Sequence, residues 1–252
     1  LAEATGEWPA QLTAGRVVSL AKTTQPRTAA DFRPITVLSI GYRLWSSYHS
    51  RNIIAALDEW LPPGLHGSRV GSHAGQVWHS MLLTIEESHD CGIPLAGVVG
   101  DIVKAFNCLS RPVIFELAGM LRLPMHVLTA WAGCTMQMAR HFEVRQNLSP
   151  ATMSVTGFAE GDGLSVLAMI LLDCVLHWWM DELSPHCTTL SFVDDWQLLI
   201  RDPQYVQSAM NRLEAFCAKV DLQLDKKKTY VWCLSAEGRR QLKQQGYREI
   251  GR

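Results

Sequence analysis

Three aspartates stand where apolar segments of the chain end. Asp101 follows the apolar run Leu95–Gly100, and the pair Asp194-Asp195 separates two further β-rich runs. A carboxylate at the end of a buried strand is costly to desolvate unless a partner compensates its charge. Hard divalent cations prefer such oxygen ligands, and two of them side by side support in-line phosphoryl transfer. The pattern therefore predicts a two-metal site, although Asp194-Asp195 alone also fits an ordinary polar turn.

The elements that must position these aspartates alternate between helices and strands. Strand patterns occur at Val17–Ala21, Ile35–Ser39, Leu95–Gly100, His141–Arg145, Met153–Phe158, Thr188–Val193, Trp196–Ile200 and Tyr230–Leu234. Helical patterns occur at Tyr42–Leu57, His73–His89, Arg111–Leu121, Met125–Met136, Leu164–Glu182 and Tyr205–Lys219. The two strands around Asp194-Asp195 predict a hairpin. Together the elements predict an α+β fold, in which an antiparallel sheet carries helices packed on one face.

Composition indicates an ordinary globular protein, since 48% of the 252 residues are hydrophobic and 19% are charged. The seven cysteines include no CxxC pair, so neither a zinc knuckle nor a disulfide framework is indicated. We expect a reducing intracellular compartment, nuclear or cytoplasmic. The first residues lack the pattern of a signal peptide. The apolar run Val166–Leu172 ends at Asp173, far short of a membrane span, so we expect a soluble protein.

The formal net charge of -1 conceals an uneven distribution. Residues 1–52 carry six basic and three acidic side chains, and residues 201–252 carry eleven and six. Residues 53–200 hold the other six basic and fifteen acidic side chains. Basic flanks around an acidic centre suit a phosphate backbone held at the edges and metal ions held in the middle, although chance clustering of solvated charge gives the same pattern.

The segments around the aspartates resemble the motifs of the reverse transcriptase family. The similar segments are Gly100–Phe106 for motif A, Gly157–Ser165 for motif B, Ser191–Asp195 for motif C and Leu224–Thr229 for motif D. Upstream, Phe32–Ser39 and His66–Ser72 resemble fingers segments of non-LTR retroelement and group II intron enzymes. These motifs stand in the family's order from about Lys22 to Thr229. Their order makes the resemblance far more specific than one Asp-Asp pair.

The resemblance implies the fingers and palm of a right-hand polymerase. Residues 1–94 correspond to fingers, and residues 95–234 to a palm that includes a fingers return segment. Residues 235–252 correspond to the start of a truncated thumb or a connection. We therefore expect the chain to act with further domains of a longer polyprotein.

The same resemblance implies which residues bind metal and triphosphate. Asp101, Asp194 and Asp195 correspond to the ligands of two Mg²⁺ ions, for which Mn²⁺ is an alternative. Arg33 and Lys22 correspond to residues that hold the incoming triphosphate, where fixed positive charge stabilises the transition state. Either residue also fits a solvated surface cation.

Other motif positions imply roles around the nucleotide. Phe106 corresponds to the bulky aromatic that excludes a 2′-hydroxyl, although a core phenylalanine is the alternative. Gly157 and Gly161 correspond to glycines that let the backbone approach the nucleotide, or they serve only as turn residues. Lys228 corresponds to a general acid near the leaving pyrophosphate, or it belongs to a solvated basic run.

The chain departs from the family pattern at several motif positions. Glu160 stands where the family has Gln, which puts a carboxylate beside the nucleotide. Asn107 replaces a common Asp after Phe106, Val166 replaces a Pro, and Asp225 replaces an Asn. Each predicted metal ligand is retained. We therefore expect a divergent polymerase, or a copy that drifts without selection.

The resemblance implies an RNA-directed DNA polymerase core of a retroelement, with an RNA template, a DNA primer and dNTPs as partners. One alternative is an RNA-dependent RNA polymerase, against which Phe106 argues. The other is a catalytically inactive palm that serves as an RNA-binding scaffold. The retained Asp101, Asp194 and Asp195 argue against that scaffold.

Overall fold

The computed structural model describes residues 1–144, 146–247 and 250–251. Arg145 at the end of a predicted strand lies outside the described residues, as do Arg248, Glu249 and Arg252 in the predicted 235–252 segment. The chain divides into two compact units: Leu1–Ala56 with Phe106–Ala168, and Leu57–Ala105 with Met169–Arg252. These bounds differ from the predicted bounds of fingers and palm, and the assignment of fingers, palm and thumb stays a prediction.

The described helices are α1 (Ala2–Thr5), α2 (Ala10–Thr13), α3 (Ile40–Leu57), α4 (Ala74–Cys91), α5 (Ala105–Cys108), α6 (Arg111–Met120), α7 (Met125–Gln137), α8 (Gly163–Met180), α9 (Val206–Lys219) and α10 (Ala236–Gln244). The described strands are β1 (Ala14–Ala21), β2 (Phe32–Val37), β3 (Ala96–Asp101), β4 (Ala139–Val144), β5 (Asn147–Leu148), β6 (Thr152–Met153), β7 (Cys187–Phe192), β8 (Asp195–Ile200), β9 (Tyr230–Cys233) and β10 (Ile250–Gly251). The predicted α+β class is confirmed.

The sheet of the first unit has the strand order β2-β1-β4-β5, and β6 also pairs with β4. The β1–β2 pair is antiparallel, whereas β1 and β4 run parallel. Beside it, a core cluster of Leu38, Tyr42, Cys134, Met138 and Ala159 packs with two partly buried tryptophans, Trp8 and Trp45. Burial of this apolar surface stabilises the unit that carries the predicted triphosphate-binding residues.

The sheet of the second unit has the strand order β10-β9-β3-β8-β7. The pairs β9–β3, β3–β8 and β8–β7 are antiparallel, as predicted, and the short β10 adds to β9 in parallel. Within β3, Ala96 and Val98 are fully buried. The strand is central and apolar, and it ends at Asp101. The local sequence therefore places a carboxylate at the C-terminal end of a central strand.

Helices cover both faces of this second sheet. On one face, Trp196 of β8 packs edge-on against Phe216 of α9. On the other, Leu190 and Leu199 form a core cluster with Val77, against which Met81 of α4 also packs. Side chains alternate between the two faces along a strand, so α4 lies opposite α9. The prediction named helices on one face, and α4 adds a layer on the second.

The helix α8 matches the predicted helix Leu164–Glu182 to within two residues at either end, and its apolar character extends beyond the run Val166–Leu172. With the 3₁₀ turn that follows, Gly163–Leu183 is long and apolar enough to cross a membrane by length and composition alone. However, 72% of the most apolar window is buried inside the fold, as in the core helix of a soluble protein. Its apolar surface therefore has protein neighbours.

Candidate active site

The strands β7 and β8 form a hairpin whose turn is Val193-Asp194. Asp195 is thus the first residue of β8, whereas the sequence predicted that both aspartates form the turn. In the β3–β8 ladder Asp195 lies directly opposite Asp101. Directly opposite residues of an antiparallel pair project to the same face. The register therefore puts two of the predicted carboxylates on one face of the sheet, next to Asp194 in the turn.

The turn has a strained backbone that its neighbours hold in place. Val193 has a φ of 59°, and a positive φ at the first turn position is typical of a type II′ turn. For a β-branched residue this conformation costs on the order of 1–3 kcal/mol. A loop lies against the turn: a Cβ at Gly67 would collide with the Val193 backbone nitrogen, and the His66 N–H donates to the Ser191 carbonyl at 2.9 Å. The loop 64–67 thus supports the hairpin.

Negative charge accumulates at this end of the sheet. The pKa of Asp195 is raised, first by partial burial and then by the charges of Asp194 and Asp101, and the Lys228 ammonium opposes the shift. Like charges disfavour ionisation of Asp195 unless a cation lies beside it. The electrostatics therefore favour binding of a cation.

Lys228 supplies positive charge to this group from the segment after α9. Its Nζ donates to both carboxylate oxygens of Asp101, each at 3.1 Å. This hydrogen bond is the main reason why the pKa of Lys228 is raised, with further contributions from the charges of Asp101, Asp225 and Asp194. The predicted general acid is thus protonated and in contact with a predicted metal ligand.

A tight turn in motif D brings Lys228 to Asp101. The Asp225 N–H donates to the Asp101 carbonyl at 2.8 Å, and the Asp225 carboxylate accepts from the Lys227 N–H at 2.9 Å. The Thr229 hydroxyl also lies within 3.3 Å of the Asp101 nitrogen. An Asn side-chain oxygen accepts the same turn-forming hydrogen bond, so Asp225 in place of Asn preserves the turn.

The donor chemistry fits a hard divalent cation, since Asp101, Asp194 and Asp195 offer carboxylate oxygens. Within residues 1–144, 146–247 and 250–251, however, no three His, Cys, Asp or Glu side chains stand close enough together to hold a metal ion. Asp101 is paired with Lys228 instead. The assignment of these three aspartates as metal ligands stays a prediction, and binding requires their carboxylates to converge.

The predicted triphosphate-binding residues lie in the first unit. Arg33 is exposed on β2, and Lys22 is exposed directly after β1, where its N–H donates to the Asp31 carbonyl at 2.8 Å. The Glu160 carboxylate lies 4.0 Å from the Arg33 Nε and accepts from the Asn107 amide at 2.7 Å. The structure therefore brings Glu160 to Arg33, which the sequence did not predict.

Motifs A and B meet through their backbones, next to the predicted nucleotide-contact residues. The Phe158 N–H donates to the Phe106 carbonyl at 2.8 Å, and the Phe106 side chain is half-buried. Gly157 has a φ of 71°, and a Cβ there would collide with the Asn107 carbonyl. Gly161 has a φ of 116°, and its Cβ would come within 2.5 Å of the Thr36 carbonyl. Both positions therefore require glycine, because the backbone has a positive φ and a neighbouring carbonyl leaves no space for a Cβ. Contact of these glycines with a nucleotide stays a prediction.

Comparison with known families shows to which family the chain belongs. A family model described as reverse transcriptase (RNA-dependent DNA polymerase) matches residues 21–249. The chain belongs to the reverse transcriptase family. No curated protein matches its sequence.

Solved telomerase structures share the fold of this reverse transcriptase. Telomerase from Candida tropicalis in complex with a TWJ fragment of telomeric RNA superposes with a TM-score of 0.71 at 11% identity, over 91% of this chain and 42% of that one. Apo telomerase from the same organism, truncated of its C-terminal domain, superposes with a TM-score of 0.66 at 13% identity, over 90% of this chain and 51% of that one. Telomerase from Candida albicans in complex with the same kind of RNA fragment superposes with a TM-score of 0.65 at 13% identity, over 90% of this chain and 43% of that one. The chain thus spans about half the length of these neighbours, and at such identities the likeness shows the fold alone.

Arg111 is a buried residue of the reverse transcriptase that the motifs did not identify. It is only 6% exposed, and its guanidinium donates to the carbonyls of Ser154 at 2.7 Å and Gly157 at 2.8 Å and lies 3.4 Å from that of Thr156. It thereby anchors the loop that leads into motif B. The sequence offered only an arginine at the start of an apolar helix, and its role depends on where that loop folds.

A second unpredicted group lies behind the hairpin of β7 and β8. Asp173 of α8 is fully buried and accepts a hydrogen bond from the Trp196 indole at 2.9 Å. One helical turn later, the His177 Nε2 lies 3.0 Å from the Ser191 hydroxyl of β7. Burial raises the pKa of Asp173 to about 8 and lowers that of His177 to about 4. The signal was present in the sequence as a charge that interrupts an apolar run.

Proposed function

We propose that this chain is the polymerase core of an RNA-directed DNA polymerase of the retroelement type. It extends a DNA primer on an RNA template by nucleotidyl transfer from dNTPs. One observation carries the proposal within a chain of this family: Asp101 and Asp195 are register partners at the end of the sheet, Asp194 lies in the adjoining turn, and Lys228 contacts Asp101.

In this proposal Asp101, Asp194 and Asp195 hold two Mg²⁺ ions, with Mn²⁺ as an alternative. When bound, the ions lower the pKa of the primer 3′-hydroxyl and neutralise charge on the leaving pyrophosphate. A metal ion on Asp101 would compete with the Lys228 ammonium for that carboxylate. Lys228 itself is the residue that would donate a proton to the pyrophosphate.

Residues of the first unit bind and select the nucleotide in the same proposal. Arg33 and Lys22 are exposed cations that contact the triphosphate. Phe106 blocks a ribose 2′-hydroxyl, while Gly157 and Gly161 hold the motif B backbone close to the base pair. The half-buried position of Phe106 supports a role as a steric wall that is fixed on one side and open on the other.

The setting in the cell belongs to the proposal as well. We propose a nuclear or cytoplasmic location, supported by cysteines that are free throughout the described residues. We also propose that further domains of a longer polyprotein act with this core. The greater length of the structural neighbours is consistent with that.

Primer extension by the full chain with Asp194→Asn tests this function. We expect Mg²⁺-dependent incorporation of dNTPs, in preference to rNTPs, on an RNA template. The substitution lowers the rate by more than about a hundredfold, because it removes charge that is needed in the transition state. It leaves the melting temperature equal or higher, since it relieves repulsion with Asp195.

The matched control is Asp221→Asn, the same chemical change at an exposed turn residue with a φ of 58°. We expect this variant to extend primers at the unmodified rate. Equal incorporation by Asp194→Asn would contradict the metal assignment. A preference for rNTPs would instead favour an RNA-dependent RNA polymerase, and RNA binding without incorporation would favour the scaffold.

A further inference from the structure

Two departures from the family's motifs contact each other in the first unit. Asn107 follows Phe106 in motif A, and Glu160 stands in motif B. The Asn107 Nδ2 donates a hydrogen bond to the Glu160 Oε1 at 2.7 Å, and both side chains are half-buried. They lie 53 residues apart in the chain. Their contact therefore links two substitutions that look unrelated in the sequence.

The two departures are reciprocal. The motif pattern has an acid at the position of Asn107 and an amide at the position of Glu160, and this chain has the amide and the acid exchanged. One hydrogen bond needs one donor and one acceptor, so the exchange preserves the bond and reverses its direction. A bond to an ionised acceptor is also stronger than a neutral one. An acid at both positions would instead place two carboxylates in contact.

The exchange moves the negative charge towards Arg33. The Glu160 Oε2 lies 4.0 Å from the Arg33 Nε, and the charge of Glu160 also opposes the lowering of the pKa of Arg140 by burial. The backbone holds this arrangement in place, because the Thr36 N–H of β2 donates to the Glu160 carbonyl at 2.7 Å. Arg33 lies on that same strand. Glu160 is thus fixed to the strand whose arginine it faces.

We propose that Asn107 and Glu160 act as one pair, in which Asn107 fixes the Glu160 carboxylate and Glu160 positions Arg33 for a nucleoside triphosphate. The inference rests on the proposed function. Arg33 is exposed and faces the Glu160 carboxylate through its Nε, so its terminal N–H groups can contact a triphosphate while the ion pair persists. The carboxylate limits the orientations of the guanidinium before and during binding. Glu160 is therefore a positioning residue, and it acts through Arg33.

A double-mutant cycle on thermal unfolding of the full chain tests the pair. The variants are Asn107→Asp, Glu160→Gln and the two together. Asn107→Asp brings two carboxylates together, so we expect a melting temperature several degrees lower. The double variant restores the hydrogen bond with its direction reversed, and we expect a melting temperature within about 2 °C of the unmodified chain. The control Asn52→Asp makes the same change at an exposed position of α3 and should leave the value unchanged. Additive effects would overturn the pair.

Steady-state incorporation of one dNTP tests the action through Arg33. In Glu160→Gln we expect KM to fall several-fold, because a carboxylate that repels phosphate is gone. We expect kcat to fall about tenfold, because Arg33 is no longer oriented. In an Arg33→Gln background, Glu160→Gln should change kcat no further. A purely structural role predicts a lower melting temperature and the same kcat loss in both backgrounds, and that result would overturn the positioning role.

The two measurements separate failure of this inference from failure of the proposed function. The unfolding cycle requires no polymerase activity, so it decides whether Asn107 and Glu160 are coupled in either case. If the unmodified chain incorporates no nucleotide, the proposed function is contradicted and the role of Glu160 towards Arg33 falls with it. Incorporation together with an additive unfolding cycle overturns the pair alone.

Discussion

At the scale of single residues, the acidic groups of the second unit differ in how their charge is compensated. Asp101 receives the Lys228 ammonium, whereas Asp173 is fully buried and, among the described residues, its hydrogen-bond donors are neutral, as the Trp196 indole is. Burial, with a smaller contribution from the charge of Asp194, raises the pKa of Asp173 to about 8. Asp173 is therefore mostly protonated at neutral pH in the metal-free chain, directly behind the strand that begins with Asp195.

This protonation makes stability depend on pH. The folded pKa of Asp173, about 8, lies above its ordinary value of 3.8, so the folded state holds an extra proton between these limits. The free energy of unfolding consequently falls as pH rises through this range, by at most about 1.4 kcal/mol per pH unit. His177 has the opposite sign, but only between about 4 and 6.5. From pH 6.5 to 8, where His177 no longer offsets the effect, we expect the Asp173 carboxyl to lower the free energy of unfolding as pH rises.

Urea unfolding of the unmodified chain and of Asp173→Asn, with divalent metal removed, measures this effect. The Asn oxygen still accepts from the Trp196 indole and does not titrate. We expect the difference between the two free energies to favour the variant increasingly as pH rises from 6.5 to 8, by about 2 kcal/mol in all. Other groups with shifted pKa values are common to both chains and cancel. Parallel profiles would contradict the prediction.

Residue types identified the catalytic candidates, but not their contacts. Asp101, Asp194 and Asp195 follow from motif spacing. The contact between Lys228 and Asp101 does not, because it depends on the turn that the Asp225 carboxylate closes. Hydrogen bonds between residues more than a hundred positions apart, such as this one, require the folded sheet and leave no local trace in the sequence.

At the scale of elements, the loop 64–67 supports the hairpin of β7 and β8, which carries Asp194 and Asp195. Gly67 leaves no space for a Cβ, which would lie 3.2 Å from the Phe192 carbonyl carbon and collide with the Val193 nitrogen. In Gly67→Ala we expect the turn to shift and kcat to fall at least tenfold, together with a stability loss of about 1–3 kcal/mol. Primer extension and urea unfolding measure the two effects.

The control for this prediction is Gly119→Ala. Gly119 lies in α6 with open space around its Cβ position, so the added methyl should stabilise the helix by about 1 kcal/mol and leave kcat unchanged. If Gly67→Ala behaves like Gly119→Ala, the loop does not position the hairpin. If Gly67→Ala lowers stability but not kcat, the loop 64–67 stabilises the fold and does not position the hairpin for catalysis.

The loop that leads into motif B depends on Arg111. In Arg111→Lys, a single ammonium cannot reach the spread of carbonyls from Ser154 to Gly157 that the planar guanidinium reaches. Carbonyls left without a donor cost about 1–3 kcal/mol. We expect that loss in urea unfolding, and faster proteolysis within residues 154–157. Arg122→Lys, at an exposed turn, should change stability by less than about 0.5 kcal/mol.

The same loop explains where the prediction of elements was wrong. The sequence pattern predicted a strand over Met153–Phe158, but β6 contains only Thr152–Met153. The carbonyls that a longer strand would use in a ladder accept hydrogen bonds from Arg111 instead. The hairpin was predicted correctly as an element, whereas its turn was misplaced by one residue. Alternating burial indicates that a strand exists, and tertiary hydrogen bonds decide where it ends.

At the scale of the whole molecule, the uneven charge predicts how binding to nucleic acid responds to salt. The net charge of -1 gives no general attraction to phosphate, so attraction must come from local basic segments. Residues 201–252 carry eleven basic and six acidic side chains, and Lys226 and Lys227 are exposed beside the predicted active site. Each lysine that contacts phosphate releases counterions, which steepens the salt dependence of binding.

Equilibrium binding of an RNA–DNA primer duplex across a range of NaCl concentrations tests this local attraction. In the variant Lys226→Gln with Lys227→Gln, we expect the slope of log K against log salt to become shallower by about 1–2, or roughly 0.9 per lost phosphate contact. The control Glu86→Gln changes the net charge within the acidic centre, at an exposed position of α4, and should leave the slope unchanged. If Glu86→Gln alters the slope as strongly as the lysine variant, net charge governs binding and the basic segment has no particular role. An unchanged slope in the lysine variant would place the phosphate contacts elsewhere, and the basic residues of 1–52 would then be the segment to neutralise.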